Sequence, residues 1–357
     1  MKERIEKLRE RFAGAGVEAL YITNPENRFY LSGFTGTAGS LLLSLNNNYL
    51  FTDFRYAEQA AQECPDYQVI VTSGECSEVL REYLTGEGIT LLGLEGDYLT
   101  YNQFQILKER LDGVELKTVD GMVEELRARK DKGEIALIEE AVRLADEAFQ
   151  EVLPHIRPGV CEREVALQLE YSMRRMGAEG AAFKTIVASG YRAALPHGVA
   201  SSRIMAPGDL VILDFGAVYS GYHSDMTRTV VLGKPDKKQE EIYQLVLAAQ
   251  VSAIEFLRAG VKAQDVDAAA RSIIEQAGYG NQFGHSTGHG VGLSIHEKPR
   301  LSVKDQTVLE EGMVVTIEPG VYLPGWGGVR IEDTVVVQNG GCRVLTRTPK
   351  EELLSTA

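Results

Sequence analysis

The sequence predicts an α+β protein of two domains: an α/β domain over residues 1–125, then a domain over 126–357 in which helices cover the outer face of a curved antiparallel sheet. Three observations predict it. The chain has 357 residues, enough for about two domains. Helix-type and strand-type patterns alternate through its first third. Beyond that, the order helix, helix, paired strands occurs twice, over 134–231 and 237–337, as a pseudo-duplication would produce. The composition, 44% hydrophobic and 25% charged, is that of an ordinary globular chain and excludes a disordered or disulfide-stapled one.

The elements follow in order. Residues 2–15 read as an amphipathic helix and Glu18 to Thr23 as a short buried strand. Leu41 to Thr52 reads as a hairpin turning at Asn46-Asn47-Asn48. Helix-type stretches at 55–63, 77–85 and 102–111 alternate with strand-type stretches at 67–72, 90–94 and 114–118, which predicts a mixed sheet ending near Asp120-Gly121. The charged run Leu126 to Gly133 reads as a linker or the last turn of a linking helix. A long amphipathic helix starts at Glu134 and runs to about Leu153, where Pro154, Pro158 and Gly159 stop it; a second spans Glu162 to Met176, with Gly177 as its C-cap. Leu210 to Gly216 and Asp225 to Val231 read as antiparallel arms around a turn at Val218 to Tyr222. Helices over 237–258 and 263–278, then strands over 313–318 and 329–337, complete the second half. A site is expected in the concavity between the halves.

Charge and cysteine usage narrow the function classes. Lys+Arg 37 against Asp+Glu 51 gives −14, a balance that repels phosphate, so neither nucleic acid nor an anionic membrane is an expected partner. No apolar run approaches the roughly 20 residues that span a bilayer. Cys64, Cys76, Cys161 and Cys342 form no C-x-x-C pair and are too sparse for a disulfide framework. The charged start, Met1 to Lys7, lacks the apolar segment of a secretion signal. Together these predict reduced thiols in the cytoplasm.

Two features carry chemistry. Five of the six histidines fall between 197 and 296, and three of them, His285, His289 and His296, stand in or beside Gly284-His285-Ser286-Thr287-Gly288-His289-Gly290-Val291-Gly292. These glycines are expected to let the backbone approach a ligand closely; their spacing is not that of a dinucleotide loop. The second feature is a set of carboxylates beside β-type apolar runs: Asp214 after Leu210 to Leu213, Asp225 opening the next strand, Glu318 after Val314 to Ile317, and Glu332 ahead of Val335 to Val337. Any one of them could face solvent in an antiparallel sheet, but four, with a glycine-framed imidazole, point to a buried site, where carboxylates must be paired, protonated or metal-bound. Asp214 and Asp225 lie eleven apart, so the arms of a hairpin would bring them together. Four carboxylates and one imidazole suit two divalent cations, and oxygen-rich ligation favours Mn²⁺, Co²⁺ or Mg²⁺ over a thiolate zinc centre, with Mn²⁺ or Co²⁺ expected here. Such a pair about 3.5–4 Å apart would acidify a water between them. No G-x-S-x-G elbow points to a serine nucleophile.

On these residues the chain resembles the pita-bread metallopeptidases, and within them the Xaa-Pro peptidases, that is, prolidases and aminopeptidase P. The resemblance rests on Leu213-Asp214-Phe215-Gly216, Ser224-Asp225-Met226-Thr227-Arg228-Thr229, Gly288-His289-Gly290, Ile317-Glu318-Pro319-Gly320 and Arg330-Ile331-Glu332-Asp333. It extends over nearly the whole chain, since Asn24 to Phe34 and Thr52-Asp53-Phe54-Arg55-Tyr56 resemble a creatinase-type N-terminal domain. It implies that Asp225 and Glu332 bridge two metals, that Asp214 binds one and His289 with Glu318 the other, and that Glu318 shuttles the proton. It further implies that His296 meets the scissile carbonyl or the proline side, that His197 is a further substrate-side histidine, that His285, four residues before the ligand histidine, is a catalytic candidate, and that Arg330 orders or neutralises the site. The implied reaction is hydrolysis of the bond before proline in dipeptides or short peptides, the dipeptidase being favoured, in a homodimeric enzyme. A creatinase-like protein would have replaced these ligands, a methionine aminopeptidase would lack the large N-terminal domain, and a non-enzymatic binding module on this fold would have lost ligands.

Overall fold

A computed structural model describes residues 1–74 and 76–356. The chain divides into two compact units, Met1–Arg127 and Ala128–Ala357. In the first, helices α1 (Lys2–Arg9) and α2 (Phe12–Ala15) precede strand β1 (Ala19–Ile22) and helix α3 (Pro25–Ser32). Strands β2 (Ser40–Ser44) and β3 (Asn48–Thr52) form the expected hairpin, followed by α4 (Ala57–Glu63), β4 (Gln68–Val71), α5 (Ser77–Glu87), β5 (Leu91–Leu94), α6 (Tyr101–Arg110) and β6 (Glu115–Thr118). The sheet order is β4-β3-β2-β1-β5-β6, with β2 alone antiparallel to its neighbours, so the sheet is mixed as predicted. Leu42, Phe51, Leu80, Leu84, Leu92 and Leu94 fill its core.

Two local readings change. The single helix expected over 2–15 is two, broken at Glu10-Arg11 and closed by Gly16 in the left-handed region at φ 61°. Helix α3 was not read as such, although its signals are in the sequence: the Asn24 side chain accepts from the Asn27 N–H at 2.9 Å, Pro25 opens the helix, and Gly33 ends it at φ 78°.

A short helix, α7 (Glu124–Ala128), ends where the second unit begins. The second unit repeats one pattern. Its first half holds α8 (Lys132–Val152), α9 (Glu162–Arg175), β7 (Gly180–Ala181), β8 (Ile186–Ser189), β9 (Leu210–Phe215), β10 (Ala217–Tyr219), β11 (Tyr222–His223) and β12 (Met226–Leu232). The second half holds α10 (Lys237–Phe256), α11 (Ala263–Gln276), β13 (Gly288–Gly290), β14 (Glu297–Leu301), β15 (Val314–Ile317), β16 (Gly320–Leu323), β17 (Gly327–Arg330), β18 (Asp333–Gln338) and β19 (Gly341–Val344), with β20 (Leu354–Thr356) at the end. The strands form a β20-β12-β9-β8 sheet and a β14-β13-β15-β18-β19 sheet, antiparallel except for β12 with β20. Each half has its own core: α8 and α9 pack Phe149, Leu169 and Met173 against Val211, Leu213 and Phe215, while α10 and α11 pack Val246, Val266 and Ile274 against Val315, Val335 and Val337. Each such fully buried side chain contributes about 1.5–3 kcal/mol. Both long helices start from a capping box, Asp131 with Glu134 and Asp236 with Gln239.

The second-half strand expected over 329–337 is two strands, β17 and β18, interrupted at Ile331-Glu332, and the turn expected at 218–222 itself contains β10 and β11. In each half, therefore, a small hairpin interrupts the main ladder at the same place, and that place is where the carboxylates stand.

Candidate metal centre

The ladders end in matching ways. Between β9 and β12 the last pair is Phe215 with Met226; between β15 and β18 it is Ile317 with Asp333. Asp225 and Glu332 are the residues immediately before those ends. Asp214 pairs with Thr227, so it is a diagonal neighbour of Asp225 on the same face. Glu318 leaves the end of β15, and its backbone N–H donates to Thr287 O at 2.7 Å. The bend after β9 admits glycine alone: a Cβ on Gly216 would lie 1.8 Å from Ser224 O.

His289 sits in β13 and reaches the same point. A Cβ on Gly288 would stand 1.9 Å from Thr316 O, and one on Gly290 would stand 2.3 Å from Lys298 O. These glycines therefore serve the close packing of β13 between its neighbouring strands, where the sequence reading assigned them to the approach of a ligand. The His289 Nδ1–H donates to Gly290 O at 3.0 Å, which leaves the Nε2 lone pair facing inward. It faces Asp225 Oδ2 at 3.5 Å and Glu318 Oε1 at 3.4 Å. Ligand atoms of Asp225, His289 and Glu332 lie within 4.8 Å of one another.

The donor set fits a cation. Asp225 Oδ1 and Glu332 Oε1 are buried with no hydrogen-bond partner, which is costly for any polar atom and more so for a carboxylate. Burial pushes Asp225 and Glu332 well above the usual carboxylate range, and the neighbouring carboxylates push in the same direction. Burial also raises Asp214, against the pull of Arg330. A lone pair and several carboxylate oxygens aimed at one point repel each other until a positive charge stands between them.

Three other oxygens of the set accept hydrogen bonds. Thr227 Oγ1 donates to Glu332 Oε2 at 2.6 Å and accepts from Arg330 Nε at 3.0 Å. Thr316 Oγ1 donates to Glu318 Oε1 at 3.2 Å. Arg330 Nη2 donates to Asp214 Oδ2 at 2.5 Å, while its Nη1 donates to Tyr322 Oη at 2.9 Å and to Pro196 O at 3.1 Å. Behind them the fully buried Arg228 donates to Thr227 O, Glu332 O and Asp333 Oδ1, fixing β12 to the β17–β18 break.

The structure thus brings ligand atoms of Asp225, His289 and Glu332 within 4.8 Å of one another, sets Glu318 at 3.4 Å from His289, and places Asp214 on the same face as Asp225 with its carboxylate on Arg330. The His296 ring lies edge-on to His289 at a centroid distance of 4.4 Å, and the residue is exposed; partial burial, and after it the neighbouring His289, lower its proton affinity. His285 is set back: its Nδ1–H donates to Ser286 O at 2.8 Å, and its Nε2 accepts from Tyr322 Oη at 2.9 Å, so it reaches Asp214 only through Tyr322 and Arg330. Burial lowers its proton affinity first and foremost. His197 is exposed and follows the Pro196 carbonyl that Arg330 holds. Sequence reasoning missed Tyr322 and Thr227. Tyr322 left no signal; Thr227-Arg228-Thr229, three fully buried polar residues inside a strand, did.

Fold and site together define a two-unit metallohydrolase. Residues 136–339 match the family model of metallopeptidase family M24 and residues 4–129 that of the creatinase/prolidase N-terminal domain; the chain belongs to the M24 metallopeptidases, enzymes that use divalent metal. It is 44% identical over 355 residues to the Xaa-Pro dipeptidase of Pyrococcus furiosus, covering 99% of this chain and 100% of that one. It superposes on a solved Xaa-Pro dipeptidase from Bacillus anthracis at a TM-score of 0.97 with 47% identity, covering 99% of both chains. An X-Pro aminopeptidase structure from Thermotoga maritima matches at 0.89 with 41% identity, covering 95% of this chain and 98% of that one.

Proposed function

We propose that this peptidase is an Xaa-Pro dipeptidase holding two divalent cations, Mn²⁺ or Co²⁺, in a cytoplasmic homodimer. The observation that carries the metal reading is the pair of buried, unpartnered oxygens Asp225 Oδ1 and Glu332 Oε1 beside the bare Nε2 of His289. Asp225 and Glu332 would bridge the two ions, Asp214 would hold one, and His289 with Glu318 the other. When bound, the ions supply an acidified water and polarise the scissile carbonyl. Glu318 takes the proton of the attacking water and passes it to the departing proline nitrogen. His296, on the open side of His289, donates to the oxyanion that develops on the carbonyl. Arg330 orients Asp214 and opposes its protonation, Tyr322 and His285 brace Arg330 from behind, and His197 lines the substrate side. A dedicated pocket for the pyrrolidine ring suits a bond whose nitrogen carries no N–H for ordinary peptidases to grip.

Identity over the full chain with a named Xaa-Pro dipeptidase supports the dipeptidase; the X-Pro aminopeptidase neighbour keeps the second activity as the competing reading. Side-by-side rates on an Xaa-Pro dipeptide, an Xaa-Pro-Xaa tripeptide and a proline-free dipeptide test it. The expected order is dipeptide well above tripeptide, with the proline-free substrate uncut. A faster tripeptide overturns the dipeptidase, a cut proline-free dipeptide overturns the proline requirement, and full activity in chelator-stripped protein overturns the metal chemistry.

A further inference from the structure

Six residues, 291–296, connect β13 to β14 without forming helix or strand, and they carry His296 at one end while His289 precedes them at the other. Within this segment, Gly292 adds no side chain that would restrain the backbone. The Val291 N–H donates to Val314 O at 3.1 Å and the His223 N–H to Gly292 O at 2.8 Å, which anchors the segment's start, and from there it wraps a carboxylate. Glu297 turns inward, and its Oε1 accepts from the Ser294 N–H at 3.0 Å. A Cβ on Gly292 would stand 2.5 Å from Glu297 Oε2, so glycine there makes the room for that carboxylate. Lys130 meets the same oxygen: its Nζ donates to Glu297 Oε2 at 2.9 Å and to Ala128 O at 3.3 Å. Both side chains are nearly sealed from solvent, at 1% and 6% exposure. The lysine comes from a segment that is itself fixed, since the Lys130 N–H donates to Gly312 O at 2.9 Å.

We propose that Lys130 is a positioning residue for the histidine loop: through the buried Glu297 carboxylate it sets where His296 stands against His289. The proposal rests on the role assigned to His296 above. Loss of the ammonium removes the cation on Glu297 Oε2 and favours the carboxylate turning outward or taking up a proton. Either change releases the Ser294 amide from Glu297 Oε1, and His296, two residues further on, moves with it.

Lys130→Met tests this in three ways. His296 is read first in metal-free protein, by ¹³C-labelled histidine NMR assigned with His→Gln variants. Its signal is expected to shift in Lys130→Met and to return in Lys130→Met/Glu297→Gln, which removes both charges and keeps an acceptor for Ser294. Turnover is read second, because a misplacement of about 1 Å can cost on the order of 100-fold: kcat should fall with little change in KM and with metal content unchanged. Third, in a His296→Ala background Lys130→Met should lower kcat by less than about twofold, since the residue it positions is gone. Effects that multiply in the double variant, or an unmoved His296 signal, overturn the proposal. The NMR arm does not depend on substrate, so it stands apart from any failure of the Xaa-Pro assignment.

Discussion

Divalent metal should stabilise this protein strongly, and more so as the pH rises. The perturbation is removal of metal with a chelator, then titration with Mn²⁺ at pH 5 and pH 8. At a free concentration 100 times its dissociation constant, one cation bound only by the folded state adds about 2.7 kcal/mol. For a unit of the size of Ala128–Ala357, at about 2–4 °C per kcal/mol, that is about 5–11 °C in Tm for each cation. The pH dependence follows from the metal-free carboxylates, since Asp214, Asp225 and Glu332 are all raised by burial. A carboxylate whose folded pKa exceeds its unfolded one favours the folded state below the ordinary carboxylate range, about pH 4, and that contribution is lost as pH rises through the raised value. Metal-free protein is therefore penalised by this site at pH 8, and the cations that relieve the penalty no longer compete with protons there. The assay is a thermal melt at fixed free Mn²⁺. A shift in Tm that is absent, or larger at pH 5 than at pH 8, would refute the assignment of these carboxylates as the binding site.

Five substitutions probe the same site from other directions. Asp225→Ala and Glu332→Ala should each abolish binding of both ions; two ions per chain by elemental analysis would contradict their bridging role. His296→Ala should lower kcat by about 10²–10³, the usual cost of one oxyanion donor, with metal content intact; loss of metal would make it a ligand instead. Thr227→Val removes a fully buried hydroxyl and leaves Arg330 Nε without its acceptor, at a cost of about 1–3 kcal/mol, so the metal-free melt should fall while an unchanged melt would mean the contact is weak. Gly216→Ala forces a Cβ into Ser224 O and should cost about 1–3 kcal/mol or more; a melt like that of the unsubstituted protein would show that the bend relaxes freely.

What the sequence made legible follows from where each signal lives. The long helices and main strands were readable because periodicity and helix breakers such as Pro154 are local, although α8 starts at Lys132, inside the stretch read as a linker, because Asp131 caps it. The carboxylates and His289 were readable as a group because charged residues beside Leu210 to Leu213 or Val314 to Ile317 contradict the apolar run beside them. The role of Gly288 and Gly290 was misread because the atoms they make room for, Thr316 O and Lys298 O, come from strands paired only in the fold. Tyr322 and Arg228 act across separations of up to 120 residues, and nothing local marks such contacts. The break at Ile331-Glu332 was hidden because Val329 to Val337 has one continuous β-type pattern.

The break matters more than the strands it divides. A residue inside a ladder has its direction fixed by the pleat, whereas Asp225 and Glu332 stand one residue before their ladders begin. From there each leans on the opposite half. The Glu332 N–H donates to Thr227 O at 3.1 Å, and Thr227 Oγ1 holds the Glu332 carboxylate; in return Thr334 Oγ1 donates to Asp225 O at 2.7 Å. At this site, two acidic residues that leave oxygens unpartnered are thus also among the residues through which the halves are joined. Each half alone would present a hairpin with an unsupported carboxylate; joined, they hold both at a separation that neither ladder could set by itself. This is the physical reason a duplicated sheet produces its site at the seam, and why cation binding and the packing of the two halves should be energetically linked.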